Sequence, residues 1–96
     1  MRLLFIMCEE GVDQLVRDML TDMGAPGYTR FTDAVGNGKR GPREGTPVWP
    51  GLNTMLLAAM PEEMVPEILD ALKKLEAERD GRLAVKVFSV PAEEYC

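Results

Sequence analysis

Leu3-Leu4-Phe5-Ile6-Met7-Cys8 is an unbroken apolar run, closed by Glu9-Glu10. Six apolar residues without alternation fit a strand buried on both faces or at the centre of a sheet. Directly after it, apolar side chains fall at Val12, Leu15, Val16, Met19, Leu20 and Met23. That spacing keeps one side of a helix apolar over three turns. Glu9, Glu10 and Asp13 suit the positive end of the helix dipole, and Gly24 followed by Pro26 is a stop signal. The chain therefore opens with a central strand and an amphipathic helix.

The remaining elements follow from the same reading. Tyr28 to Val35 is rich in aromatic and β-branched residues and predicts a strand, ending at Gly36-Asn37-Gly38. Residues 39–52 carry Gly41, Pro42, Gly45 and Pro47 and close on Pro50-Gly51, a loop with a turn at its end. Asn53 to Met60 is a second apolar strand. Pro61-Glu62-Glu63 opens a helix with apolar positions at Met64, Val65, Ile68, Leu69, Leu72 and Leu75. Pro66 fits only its first turn, so regular helix is expected from near Glu63 to Gly81. Leu83 to Val90 is the last strand, stopped by Pro91. The order β-α-β-β-α-β predicts an α+β, ferredoxin-like sandwich: a four-stranded antiparallel sheet with two helices on one face. The other face has no helix to cover it, although the first strand is apolar on both sides. A partner subunit is the expected cover.

A chain of 96 residues is one domain's worth of material, taken as residues 1–96. Its 46% hydrophobic and 28% charged content exclude global disorder. Sixteen acidic against eleven basic side chains give a net charge of −5, which excludes a generic nucleic-acid binder. Histidine is absent, and with it histidine-based triads and most zinc or iron sites. Cys8 and Cys96 stand at opposite ends of the chain with no C-x-x-C motif, so neither a metal knuckle nor a disulfide is expected. The N-terminal apolar run is too short for a leader or a membrane span, and a cytoplasmic protein is expected. No catalytic residue, metal or cofactor is assigned.

Gly24-Ala25-Pro26-Gly27-Tyr28-Thr29, followed by Val35-Gly36-Asn37-Gly38-Lys39-Arg40-Gly41, resembles the PII signal-transduction superfamily. The likeness continues through Met60-Pro61-Glu62-Glu63 and ends at Lys86-Val87-Phe88-Ser89-Val90-Pro91-Ala92-Glu93-Glu94, spanning nearly the whole chain. The resemblance implies a homotrimer that binds a small anionic ligand, typically an adenine nucleotide, in clefts between subunits. Carried over by position, it places Thr29, Gly36, Asn37, Gly38, Lys39 and Arg40 along the cleft and makes Lys86 a phosphate contact. Residues 39–52 become the segment through which a protein target would be met. Two departures bear on this. Leu83-Ala84-Val85-Lys86 keeps only the lysine of the family's second glycine-rich loop, and no arginines follow to clamp phosphate. Residues 39–52 have no tyrosine and fall short of the family's long loop, so uridylylation and channel insertion are not expected.

The residues themselves leave several readings open. Gly36-Asn37-Gly38-Lys39-Arg40-Gly41 fits G-x-G-x-x-G, but it leaves a later strand and runs into Pro42, which excludes a dinucleotide fold. It is either a plain turn or an anion cradle, and Lys39, Arg40 and Arg43 form the one basic concentration of the chain. Lys86 is either an exposed strand lysine that discourages edge pairing or an anion contact. Cys8 reads as a buried small hydrophobe or as a thiol activated by a helix N-terminus. Seven methionines and two cysteines raise a metal-tolerance trimer as the alternative function, although the methionines fall on core positions. Trp49 is a loop anchor or an aromatic platform for a ligand ring. Cys8-Glu9-Glu10-Gly11 is acidic where an acylphosphatase needs a phosphate loop, which counts against that activity.

Overall fold

The computed structural model describes residues 1–9, 11–34, 37–38, 41–42, 53–79, 83 and 85–96. The central run becomes β1 (Arg2–Glu9), and the helical stripe becomes α1 (Asp13–Asp22). Then come β2 (Thr29–Ala34), two short strands β3 (Asn37–Gly38) and β4 (Gly41–Pro42), and β5 (Asn53–Met60). A 3₁₀ turn (Glu62–Met64) leads into α2 (Val65–Glu78), and β6 (Val85–Pro91) completes the order.

The main sheet has the order β2-β5-β1-β6 with every neighbouring pair antiparallel, which is the expected ferredoxin-like arrangement. Its register divides the faces cleanly. Leu4, Ile6 and Cys8 of β1 pair with Ala58, Leu56 and Thr54 of β5 and are all buried. Val16 and Leu20 of α1 and Ile68 and Leu72 of α2 close over this face, with Met60 completing the cluster. The opposite face carries Leu3, Phe5 and Met7 across from Ala59, Leu57 and Met55, and across from Val90, Phe88 and Lys86 on β6. No helix packs there among the described residues.

Differences from the sequence reading are local and have physical causes. α2 begins at Val65 because Pro66 sits in its first turn, where no intrahelical amide is lost. The preceding Glu62–Met64 segment closes as a tighter turn, with Met64 N–H donating to Pro61 O at 3.0 Å. β6 starts at Val85 and not at Leu83, which is buried ahead of the strand. The glycine-rich segment is not all loop: β3 and β4 pair, Asn37 with Pro42 and Gly38 with Gly41. Gly24 does end α1, at a φ of 76°. Ala25 N–H reaches Leu20 O at 3.0 Å and Gly24 N–H reaches Thr21 O at 3.1 Å, which satisfies the last carbonyls of the helix. β2 carries a register shift between Phe31 and Ala34, the mark of one extra residue in an edge strand. No helix among the described residues is long and apolar enough to cross a membrane.

Candidate functional site

The uncovered face of the sheet holds two residues singled out in the sequence. Thr29 pairs with Leu57, and Lys86 pairs with Met7, so both project from the face without helices. Both are exposed. Around them Phe31, Phe88 and Val90 remain 45%, 55% and 41% exposed, a large apolar area to leave in water. Thr29 and Lys86 nevertheless lie on opposite edge strands. Three inter-strand steps separate β2 from β6, about 14 Å at the usual strand spacing. Within one chain the structure does not bring them together.

Asn37 and Gly38 lie in β3, beyond the end of β2 where Ala34 pairs with Asn53. That end of the sheet is also where β6 begins, since Val85 pairs with Cys8. Gly36, Lys39 and Arg40 lie outside the described residues, as do Arg43, Trp49 and all of residues 39–52 except Gly41 and Pro42.

A charged cluster that the sequence reading passed over sits on the helix face of β2. Asp13, at the start of α1, is 1% exposed. Its Oδ1 accepts the Gly11 N–H at 3.1 Å, while its Oδ2 accepts Arg17 Nε at 3.0 Å and Arg30 Nε at 2.8 Å. Burial alone would raise the Asp13 pKa. The Gly11 amide and the two guanidinium groups outweigh it and hold the carboxyl below its usual range. Arg17 is held protonated first by a hydrogen bond to Tyr28, and then by Asp13. Its Nη2 also donates to Gln14 Oε1 at 2.9 Å. The Asp13-x-x-x-Arg17 spacing was a usable signal, because an acid four residues before an arginine shares a helix face with it.

Beneath this cluster, Cys8 is fully buried and donates its thiol to Thr54 O at 3.7 Å. Burial and the neighbouring Asp13 charge push its pKa up to about 12, against the weaker pull of Arg17 and Arg30. Cys8 is therefore a packed hydrophobe and not an activated thiol. Thr54 Oγ1 is buried with no hydrogen-bond partner among the described residues. Of the sulfur-bearing side chains, Cys8 faces the helices, Met7 and Met55 face the open side, Met60 lies in the core with Met19, Met23 and Met64 packed against it as apolar filler, and Cys96 is exposed. Gly11, with φ of 96°, gives its N–H to Asp13, so the β1–α1 turn spends that amide on a carboxylate within the chain. A phosphate loop would keep such an amide for its ligand.

At the far end of the sheet an open hollow of about 800 Å³ is lined by Met1, Arg2, Glu62, Pro91, Ala92, Glu93 and Tyr95. Tyr95 donates its hydroxyl to Glu93 at 2.6 Å, which raises the tyrosine pKa. None of the site residues read from the sequence lines it.

Fold, uncovered face and residue positions can be set beside known proteins. Residues 1–96 match the model of the family Nitrogen regulatory protein P-II over their whole length. The chain belongs to the P-II family. Among solved structures this P-II family member is similar to CPII from Thiomonas intermedia K12, bound to ADP and bicarbonate. The identity is 28%, over 93% of this chain and 84% of that one, with a TM-score of 0.67. It is also similar to TTHA0516, a PII-like signalling protein from Thermus thermophilus, at 26% identity over 93% of this chain and 82% of that one, with a TM-score of 0.64. A DUF3240 family protein from Shewanella baltica OS155 shares the fold at 14% identity, over 99% and 92% of the two chains, with a TM-score of 0.75. No curated protein matches the sequence.

Two outcomes follow from the buried groups. Alkylation of the native protein without reductant should add one adduct, at exposed Cys96, and a second only after unfolding releases Cys8. Two rapid native adducts would contradict the burial of Cys8. Asp13→Asn should cost about 1.5–3 kcal/mol at neutral pH, the usual range for a hydrogen bond to a charged group. Because the folded-state pKa of Asp13 is lowered, its stabilisation is complete above the unfolded value of about 3.9 and drains as pH falls through the folded value. Denaturant unfolding in a pH series should show the gap between wild type and variant closing below about pH 4. A gap that is constant with pH would show that the carboxylate charge is not its source.

Proposed function

We propose that this P-II family member is a non-enzymatic signalling sensor, acting as a homotrimer that binds a small anionic metabolite between subunits. The observation that carries the reading is the separation of Thr29 and Lys86 on one face. Each is exposed on the apolar, helix-free side, and they stand at opposite edges of the sheet. A second copy laid against that face can bring the β2 edge of one chain beside the β6 edge of the next. The same packing buries Phe31, Phe88 and Val90, so the cover and the cleft arise together.

The ligand class is supported by the relatives. CPII was solved with ADP and bicarbonate, and again, at 26% identity to this chain, with ADP, AMP and bicarbonate. An adenine nucleotide or bicarbonate at the cleft would meet Lys86 from one chain. From the other it would meet Thr29 and the segment Gly36, Asn37, Gly38, Lys39 and Arg40. Glycine lets backbone amides approach an anion closely, and the basic side chains supply the charge. Residues 39–52 are the segment through which ligand occupancy would be reported to a protein target. A cytoplasmic setting completes the proposal.

Thermal unfolding with ADP, AMP or bicarbonate tests the ligand class. A true ligand at a hundred times its Kd adds about 2.7 kcal/mol of stability, a shift that is easy to read. Lys86→Ala should weaken that binding by about tenfold or more while leaving stability within about ±0.5 kcal/mol. The same change at exposed Lys73 or Lys74 on α2 should leave binding unchanged. Sedimentation should give a trimer at micromolar concentration, and a stable monomer would overturn the intersubunit site.

A further inference from the structure

The geometry points to the Asp13–Arg30 pair as a register lock that holds Thr29 on the ligand face of the sheet. This rests on the sensor reading above, which makes that face the binding face.

β2 is the least secured strand of the sheet. It is an edge strand whose one neighbour in the sheet is β5, and its regular pairing covers Thr29, Arg30 and Phe31 before the register shifts. In a strand, a slip of one residue turns every side chain to the other face. At β2 such a slip would turn Thr29 toward the helices and put Arg30 into the apolar surface. Something must hold the edge, and the hydrophobic pattern of β2 does so weakly, since Thr29 and Arg30 are both polar.

Arg30 supplies the hold. It pairs with Leu56, which is buried on the helix face, so Arg30 points to the α1 layer while its neighbours Thr29 and Phe31 point away. Its Nε meets Asp13 Oδ2 at 2.8 Å. Asp13 is a fixed target, because Gly11 N–H occupies Oδ1 and Arg17 Nε already binds Oδ2. One residue away from Thr29, the edge strand is thus fastened to the β1–α1 turn across 17 positions of sequence. An apolar residue at position 30 would offer only non-directional contacts. Such contacts tolerate sliding, whereas a directed ion pair admits one register. Asp13 is buried while the Arg30 side chain stays 38% exposed, so the pair is half-buried, and fixing register is the best attested use of such polar contacts. The lock is distinct from the ligand contacts: Asp13 and Arg30 face the helices and act on the site through the backbone of Thr29, as positioning residues.

Amide hydrogen exchange on the full-length protein, combined with ADP titration by calorimetry, tests the lock. Arg30→Met should speed exchange at residues 29–31 by about tenfold or more, leave β1 and β6 near wild type, and weaken ADP binding by about tenfold. Arg30→Lys, which keeps the charge without the guanidinium fork, should recover part of both effects. Arg17→Met removes the other cation from the same carboxylate and a contact to Tyr28, the residue before β2, but leaves the Arg30 ion pair in place, so it should loosen residues 29–31 clearly less than Arg30→Met does. Equal effects of Arg17→Met and Arg30→Met on β2, faster exchange spread evenly over the sheet, or unchanged ADP affinity beside a loosened β2 would each overturn the lock. Should Arg30→Met fail to fold, Arg30→Gln replaces it under the same criteria. If wild-type protein takes up no ADP, the nucleotide reading fails, and the exchange comparison still decides the lock.

Discussion

β1 is apolar on both sides and lies between β5 and β6, so whatever surrounds it must bury two faces at once. Both α-helices among the described residues go to the face of Leu4, Ile6 and Cys8, where Val16, Leu20, Ile68 and Leu72 fill the space between helix and sheet. Among the described residues, Leu3, Phe5 and Met7 have strand neighbours and no helix over them. At roughly 25 cal/mol per Å² of apolar surface, such an area is a standing drive toward association. Helix placement, the open face and the position of the candidate ligand residues all trace back to that one strand.

The two faces of the sheet do different chemistry. The helix face has an apolar core with a charged cluster at its margin, where Asp13 gathers an amide and two guanidinium groups. A carboxylate buried this deeply persists because each oxygen has a donor and the arginines neutralise it. The open face is apolar at its centre with Thr29 and Lys86 at its borders. β2 serves both: Arg30 is bound in the first system while Thr29 and Phe31 belong to the second.

Much of this was legible in the residues. The apolar run at residues 3–8 and the stripe from Val12 to Met23 gave the central strand and first helix, because period and hydrophobicity act locally. Asn53–Met60 was read to its ends for the same reason. Asp13 does stand in the first turn of α1, as its place before the apolar stripe implies, but that ordinary explanation hides its ion pairs. Its partner Arg30 becomes visible only when residues 28–35 are threaded onto a face and a charged side chain is seen to point at the core. The start of α2 depended on how Pro66 is accommodated, a matter of backbone geometry that hydrophobic spacing does not encode. Thr29 and Lys86 were identified by family likeness, yet their separation across the sheet follows from strand order, a long-range property. Gly36, Lys39 and Arg40 lie outside the described residues, so their part in the site rests on sequence.

The extra residue in β2 between Phe31 and Ala34 has a consequence for how copies of this protein can meet. A bulge bends its strand and increases the local twist, spoiling the straight row of amides and carbonyls that another chain would need for pairing. The other edge strand, β6, ends in Pro91, which offers no amide, and carries Lys86 near its start. An open strand edge is a template for repeated pairing and fibril growth, whereas faces packed about a rotation axis that closes give a finite assembly. With both edges blunted and one face sticky, the polypeptide is biased toward finite assemblies and away from open-ended growth.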